Sequence, residues 1–329
     1  MKPLQLFYEE PANDRWIPGD HLIRDLIRPL LFWRTQGRAA GYLRVFKNLC
    51  KGLQQVGIPY RINDYRYAQG HPEELVCLLG KPHVLGKVHW KNPLLAGTAL
   101  YSHPSDDPTL MSRLPIRRLL VPCEWMKTMC VPGWGDKISV WPVGIDTERW
   151  SPVDSVPKTI DILLYDKIRW DKEAQRAGFV NPIQSMLEQK GLRVAVVRYG
   201  FYREEDYRAL LRQSKAVIFI CEHETQGLAY QEALSCGVPV FAWDSEGYWV
   251  DRDYYPHRVK FAPVTSVPYW DKRCGMKFRT LEEFTEKIDV FMERLGRGEF
   301  QPRAYILENL TLEICARRYA DLAREAGAQ

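Results

Sequence analysis

Apolar positions at Tyr42, Val45, Phe46, Leu49, Leu53 and Val56 recur three and four apart, the period of a helix with one buried face. Gly57 and Pro59 stop that helix. Residues 60–63 then read as a strand, and short apolar runs at 4–7, 76–79, 96–101, 119–121 and 138–140 read as others. A second alternating series follows. It runs strand 160–164, helix 182–189, strand 192–197, helix 204–213, strand 216–220, helix 228–235 and strand 238–243. Residues 281–295 and 310–326 read as terminal helices. Strands alternating with helices imply parallel sheets covered on both faces. Between the two series, TERWSPVDSVPK at 147–158 holds two prolines and little apolar periodicity, and reads as a linker.

The chain has 329 residues, more than the roughly 250–300 at which a single core stops growing, so two domains are expected. The expected boundaries are 1–150 for the first domain, 158–308 for the second and 309–329 for a terminal helix. No apolar run approaches the roughly 20 residues that span a bilayer. The opening MKPLQLFYEEPAND lacks an apolar signal-peptide core, and the eight cysteines form no CxxC pair. Both point to a cytoplasmic protein with buried, reduced thiols. The net charge of +5 does not by itself imply nucleic-acid binding. Its distribution is uneven, however: Arg24, Arg28, Arg34, Arg38, Arg44, Lys47 and Lys51 fall within 21–51 beside one acid, Asp25. This stretch reads either as a solvated helix face or as a peripheral contact for membrane head groups or an anionic acceptor.

The chemistry concentrates at 217–240. An apolar strand runs into the polar loop CEHETQ and then into the helix GLAYQEALSCG, closed by Gly237 and Pro239. Gly227 therefore marks a helix N-terminus at the carboxyl end of a parallel strand, where open α/β sheets take ligands. Free N–H groups and the positive end of the helix dipole attract an anion there, and a residue without a side chain lets it come close. Glu224 lies just before the helix and Glu232 inside it. Carboxylates at both places accept hydrogen bonds from sugar and ribose hydroxyls on either side of a diphosphate. The plain alternatives are a helix-terminus acid for Glu224 and an exposed helix residue for Glu232.

These residues resemble the Glu-x7-Glu motif of retaining GT-B glycosyltransferases of family 4 (group 1), E-G-x-G-L-x-x-x-E-A followed by G-x-P-V. Glu224, Gly227, Leu228, Glu232, Ala233, Gly237, Pro239 and Val240 stand in register, and Thr225 departs from it. The register is set by Glu224 and not by Glu222. LLVPCEWMKTMC at 119–130 and VWPVGIDTERWSP at 140–152 resemble further family segments, with Cys123 and Val143 as departures. The resemblance implies an α/β fold of two Rossmann-like domains facing across a cleft, 1–150 for the acceptor and 158–308 for the nucleotide sugar, with a helix at 309–329 crossing back to the first, and transfer of a sugar from a nucleotide-diphosphate sugar with retention. It implies that Glu224 lies near the transferred sugar and that Glu232 holds the ribose. Gly227 and Leu228 would give amides to phosphate. Lys167 and Lys172, with Arg169 as a competitor, would clamp the diphosphate. Main chain at Gly200 and Phe201 would meet the base, and His103 the sugar's 6-hydroxyl. No metal and no further cofactor is implied. The family's glycine pair after the first strand is replaced by EEPANDRWIPGD, where only Gly19 is available and Asp14, Arg15 and Trp16 are the candidates for shaping the acceptor side. The acceptor stays open between a glycan, a lipid-linked glycan, a small molecule and a nucleic acid.

Two other readings compete. Asp251–Arg252–Asp253 is a DxD, which points to a metal-dependent GT-A transferase using Asp251 and Asp253. The missing glycine pair and Val143 point to a GT-B-like binding or scaffold protein without turnover.

Overall fold

The computed structural model describes residues 2–9 and 41–328. Its contacts divide into two compact units, one of Met1–Pro122, Met126–Val143 and Leu312–Gln329, the other of Cys123–Trp125 and Gly144–Thr311. In the first unit β1 (Leu4–Glu9) is followed by α1 (Gly41–Gln55), β2 (Tyr60–Ile62), α2 (Tyr65–Gly70), β3 (Val76–Gly80) and β4 (Leu94–Ala96). Then come α3 (Leu110–Arg113), β5 (Ile116–Val121), α4 (Glu124–Trp134) and β6 (Ile138–Val140). The strands form one sheet in the order β2-β1-β3-β4-β5-β6, parallel throughout. Val76, Cys77, Leu78 and Leu79 are all buried, as expected of a strand covered on both faces.

The strand expected at 96–101 ends at Ala96. Gly97 takes φ +119°, and a Cβ there would lie 2.1 Å from the Leu120 carbonyl oxygen, so the chain leaves the ladder against β5 instead of continuing along it.

The second unit runs β7 (Ile160–Asp166), α5 (Lys172–Gln175), a π-turn at Arg176–Val180, α6 (Asn181–Gln189), β8 (Val194–Arg198), α7 (Glu204–Gln213) and β9 (Ser214–Ile220). It continues with α8 (Leu228–Ser235), β10 (Val240–Trp243), β11 (Gly275–Phe278), α9 (Leu281–Gly296) and α10 (Pro302–Asn309). Its sheet has the order β11-β10-β9-β7-β8, again parallel throughout. Alternation sorts the core. Ile162, Leu164, Ile218, Phe241 and Phe278 pack with Ile183, Leu187, Phe284, Ile288 and Phe291 on one face. On β7 and β9, Tyr165 and Phe219 face each other at 5.4 Å and extend that stack to Tyr207 of α7 and Tyr230 of α8. The proline-bearing stretch 147–158 has no helix or strand, yet Trp150 is buried and its carbonyl accepts the Ser235 hydroxyl at 2.6 Å.

The last helix, α11 (Leu312–Ala328), groups with the first unit. It crosses α1 at Gly52, where a Cβ would come within 2.5 Å of the Leu312 carbonyl oxygen, and the Trp141 indole donates to the Cys315 carbonyl at 2.9 Å. All eight cysteines are free, seven buried and Cys50 partly so. Of the basic stretch, residues 21–40 lie outside the described residues, as do Asp14, Arg15, Trp16 and Gly19. Lys47 and Lys51 are exposed on α1, and Arg44 is half-buried. Among the described residues no helix is long and apolar enough to cross a membrane.

Candidate active site

In the second sheet the chain runs from β7 outward to β8, then crosses back to β9 on the other side of β7 and continues to β10 and β11. The carboxyl ends of β7 and β9 therefore flank the point where strand order reverses, the place such sheets hold ligands. Asp166 pairs with Ile220 at the ends of the two strands, and the Lys167 amide donates to the Ile220 carbonyl at 2.8 Å. This register brings the next side chains together: the Lys167 ammonium is ion-paired with the Glu224 carboxylate. Both are largely buried, at 13% and 9% side-chain exposure. Burial works against the Lys167 charge, but the Glu224 carboxylate, with Cys221 and Tyr199, outweighs it and raises the ammonium's pKa above the ordinary lysine value. The Lys167 ammonium also lies 4.4 Å from the centre of the Tyr199 ring, which stands half-exposed just after β8. Glu224 is fixed through its backbone, its amide donating to the Thr265 carbonyl at 3.0 Å.

Two residues that the sequence reading passed over shape the loop after β7. Glu222 Oε1 accepts the amides of Arg169 and Trp170 at 2.8 and 3.0 Å, which folds that loop back onto the end of β9. The Arg169 guanidinium donates to the His223 carbonyl at 2.7 Å and touches the His223 ring at 2.9 Å. Asp166 braces the same loop from the strand end, accepting the Ile168 amide at 3.0 Å and Arg176 Nε at 2.6 Å. Burial first, and then the charges of Arg169 and Lys167, push the His223 imidazole down to about 2.

That imidazole has a consequence for stability. The unfolded chain protonates histidine near pH 6.5, while the folded chain keeps His223 neutral. Between those values the unfolded state binds more protons, so stability rises with pH and is lost as pH falls below about 6.5. The slope approaches about 1.4 kcal/mol per pH unit for one group. Urea unfolding of His223→Gln, compared with wild type at about pH 7 and about pH 5, is expected to show a smaller acid loss. An equal loss in both chains would contradict it.

Gly227 opens α8 with φ +74° and ψ +40°, in the left-handed region, and gives the helix no side-chain cap. The first amides of α8 have no partner within the helix. A Cβ at Gly227 would lie 2.1 Å from Cε1 of Tyr230. The Tyr230 ring cannot yield, because it is fully buried and its hydroxyl accepts the Tyr269 amide at 3.0 Å. Gly227→Ala is therefore expected to lower unfolding stability by about 1–3 kcal/mol, read by urea denaturation. A midpoint unchanged from wild type would show that the turn relaxes freely.

The structure brings Glu224, Lys167, Arg169, Gly227 and Leu228 together around one strand-end turn. Glu232, expected as a ribose ligand or an exposed residue, is 2% exposed, so the exposed alternative is wrong. It faces inward because α8 is buried almost along its whole length, from Tyr230 to Ser235. Lys172 stands exposed at the start of α5 and lines a depression with Arg169. Gly200 (φ +82°) and Phe201 form the turn after β8, where the Phe201 amide donates to the Arg198 carbonyl at 3.0 Å and the Phe201 ring is 68% exposed. His103 lies in the first unit. It caps a 3-10 turn at Pro104–Asp106, with Nδ1 accepting the Ser105 amide at 3.1 Å. It follows the irregular 97–102 segment, not a strand.

Residues 178–249, from the π-turn before α6 to the segment after β10, match the family model for Glycosyl transferases group 1. No curated protein matches the chain by sequence. Solved structures are similar in fold. AviGT4, a glycosyltransferase involved in avilamycin A biosynthesis, is 15% identical with a TM-score of 0.58 over 99% of this chain and 98% of that one. The sucrose-phosphate synthase (tll1590) from Thermosynechococcus elongatus is 13% identical with a TM-score of 0.53 over all of both chains. The S. aureus TarM G117R mutant in complex with fondaparinux, alpha-GlcNAc-glycerol and UDP is 13% identical with a TM-score of 0.50 over 75% of this chain and 55% of that one.

The two parallel sheets have the GT-B architecture of these structures, and residues 178–249 carry the match to the group 1 glycosyltransferase model. That segment contains Glu224, Gly227 and Glu232. The GT-A reading falls with the fold: the chain builds two parallel sheets, and its DxD lies in a turn in which Asp251 Oδ1 accepts the Asp253 amide at 3.1 Å.

Proposed function

We propose that this protein transfers a sugar from a nucleotide-diphosphate sugar with retention of configuration, and that the donor binds at the carboxyl ends of β7 and β9. The observation that carries this reading is the buried Lys167–Glu224 pair at the strand-order reversal, one turn from the bare helix start at Gly227. A cation buried beside open helix amides suits a diphosphate leaving group, whose charge grows as the bond to the sugar breaks. Glu224 then accepts hydrogen bonds from the transferred sugar, Lys167 and Lys172 take the diphosphate, and Gly227 and Leu228 give amides to it. Glu232 holds the ribose, and the turn at Gly200 and Phe201 meets the base. His103 is assigned to the sugar's 6-hydroxyl by the family resemblance. The UDP bound in the TarM structure supports a nucleotide-diphosphate donor in this fold.

Retention fits a front-face displacement in which the leaving phosphate takes the acceptor's proton and no covalent nucleophile is used. Catalysis then comes from positioning and electrostatic stabilisation. UDP-, GDP- and ADP-sugars are each incubated with the enzyme while nucleoside diphosphate release and the product anomer are followed by proton NMR. Release from one of these donors, with the anomeric configuration kept, is expected. Inversion would remove the retaining mechanism, and binding without any release would favour the non-catalytic reading.

A further inference from the structure

The Asp251–Arg252–Asp253 turn carries its chemistry in the middle residue. The Asp251 carbonyl accepts the amides of Tyr254 and Tyr255 at 3.0 and 2.7 Å, and the Asp251 carboxylate accepts the Asp253 amide. The acid at the head of the turn is thus spent on closing it, and the Arg252 side chain is left 65% exposed. It reaches the loop after β7. Arg252 Nη2 donates to Asp171 Oδ1 at 2.8 Å, and its guanidinium carbon lies 5.9 Å from the centre of the Trp170 ring. The Arg169 guanidinium lies 5.8 Å from the same ring. Two guanidiniums therefore meet one indole, and Arg252 shares a depression with Arg169 and Lys172.

Asp171 is the acid that holds Arg252 there. It sits at φ +42° and ψ +46°, a region that L side chains other than Asn and Asp avoid, and it makes no side-chain cap for α5. Its carboxylate is 74% exposed. An ion pair so exposed contributes little, because water screens it and two mobile side chains must be ordered. A diphosphate offers more. Its oxygens match the parallel N–H groups of a guanidinium and carry more charge than one carboxylate.

We propose that Arg252 is an anion-binding residue of the donor site, taking the diphosphate of the nucleotide sugar together with Lys172 and giving up Asp171 when it does. This rests on the reading of the β7 strand end as the donor site. The segment between β10 and β11 thereby supplies a cation to a site otherwise built from the loops after β7 and β9. Asp171 acts as an internal competitor for it, so the two residues have opposite effects on affinity.

Titration calorimetry with inorganic pyrophosphate tests this on the full chain. Arg252→Ala is expected to weaken binding about tenfold, the effect of losing a charged hydrogen bond. Arg252→Lys is expected to recover part of it. Asp171→Asn, which keeps a residue tolerant of the left-handed conformation, is expected to tighten binding severalfold. Arg252→Ala binding like wild type, or Asp171→Asn weakening it, overturns the assignment. The outcomes separate the two levels: if Lys172→Ala weakens pyrophosphate binding and Arg252→Ala does not, the role of Arg252 falls and the donor site stands. If the wild type binds neither pyrophosphate nor UDP, GDP or ADP, the donor site falls with it.

Discussion

Glu224→Gln is expected to lower kcat for nucleoside diphosphate release by roughly two to three orders of magnitude, with a much smaller change in KM. The amide keeps the shape of the carboxyl group and removes its charge. What is lost is an acceptor aimed at a sugar whose ring gains positive character in the transition state, so the loss falls on the rate rather than on ground-state binding. The substitution also leaves the Lys167 ammonium buried without its partner. Circular dichroism and a thermal melt must therefore show the variant folded before its rate is read. A folded variant that turns over within a few-fold of wild type would remove Glu224 from the chemistry.

Lys167→Met is expected to cost about 3–5 kcal/mol of unfolding stability, because it strands a carboxylate that is 9% exposed. Most of that cost belongs to the orphaned charge and not to the pair. The double variant Lys167→Met/Glu224→Gln is accordingly expected to recover most of the stability and none of the activity. Urea unfolding of the three variants reads the first half, and donor turnover the second. If the single variant is as stable as wild type, the two side chains are not a coupled buried pair. If the double variant regains turnover, the pair serves the fold alone.

Much of this arrangement is legible in the chain itself. The strand–loop–helix at 214–235 announces itself because an apolar run, a polar loop and a glycine-opened helix follow in the order that parallel sheets require. Helices Glu204–Gln213 and Leu228–Ser235 lie where the periodicity puts them. Other parts depend on partners distant in sequence. β11 is four residues, Gly275–Phe278, with Lys277 inside it, and is a strand because Gly275 fits against the Val240 carbonyl. Glu222 looks like one more loop acid, and its role exists only because the amides of Arg169 and Trp170 fold onto it from more than fifty residues away. Lys167 was legible as a cation at a strand end, but its partner was not. Only the β7–β9 register sets it against Glu224. The DxD misleads for the opposite reason: a local pattern with a known meaning closes a turn here.

On the proposed reading a nucleotide diphosphate sits at the carboxyl ends of β7 and β9. Hydrogen–deuterium exchange, with and without UDP, GDP or ADP, locates it directly. Slower exchange is expected at 166–172 and 222–231, including the first amides of α8 at Leu228, Ala229 and Tyr230, with any one of the three nucleotides. Binding that leaves those two segments unchanged and protects others in their place would contradict it.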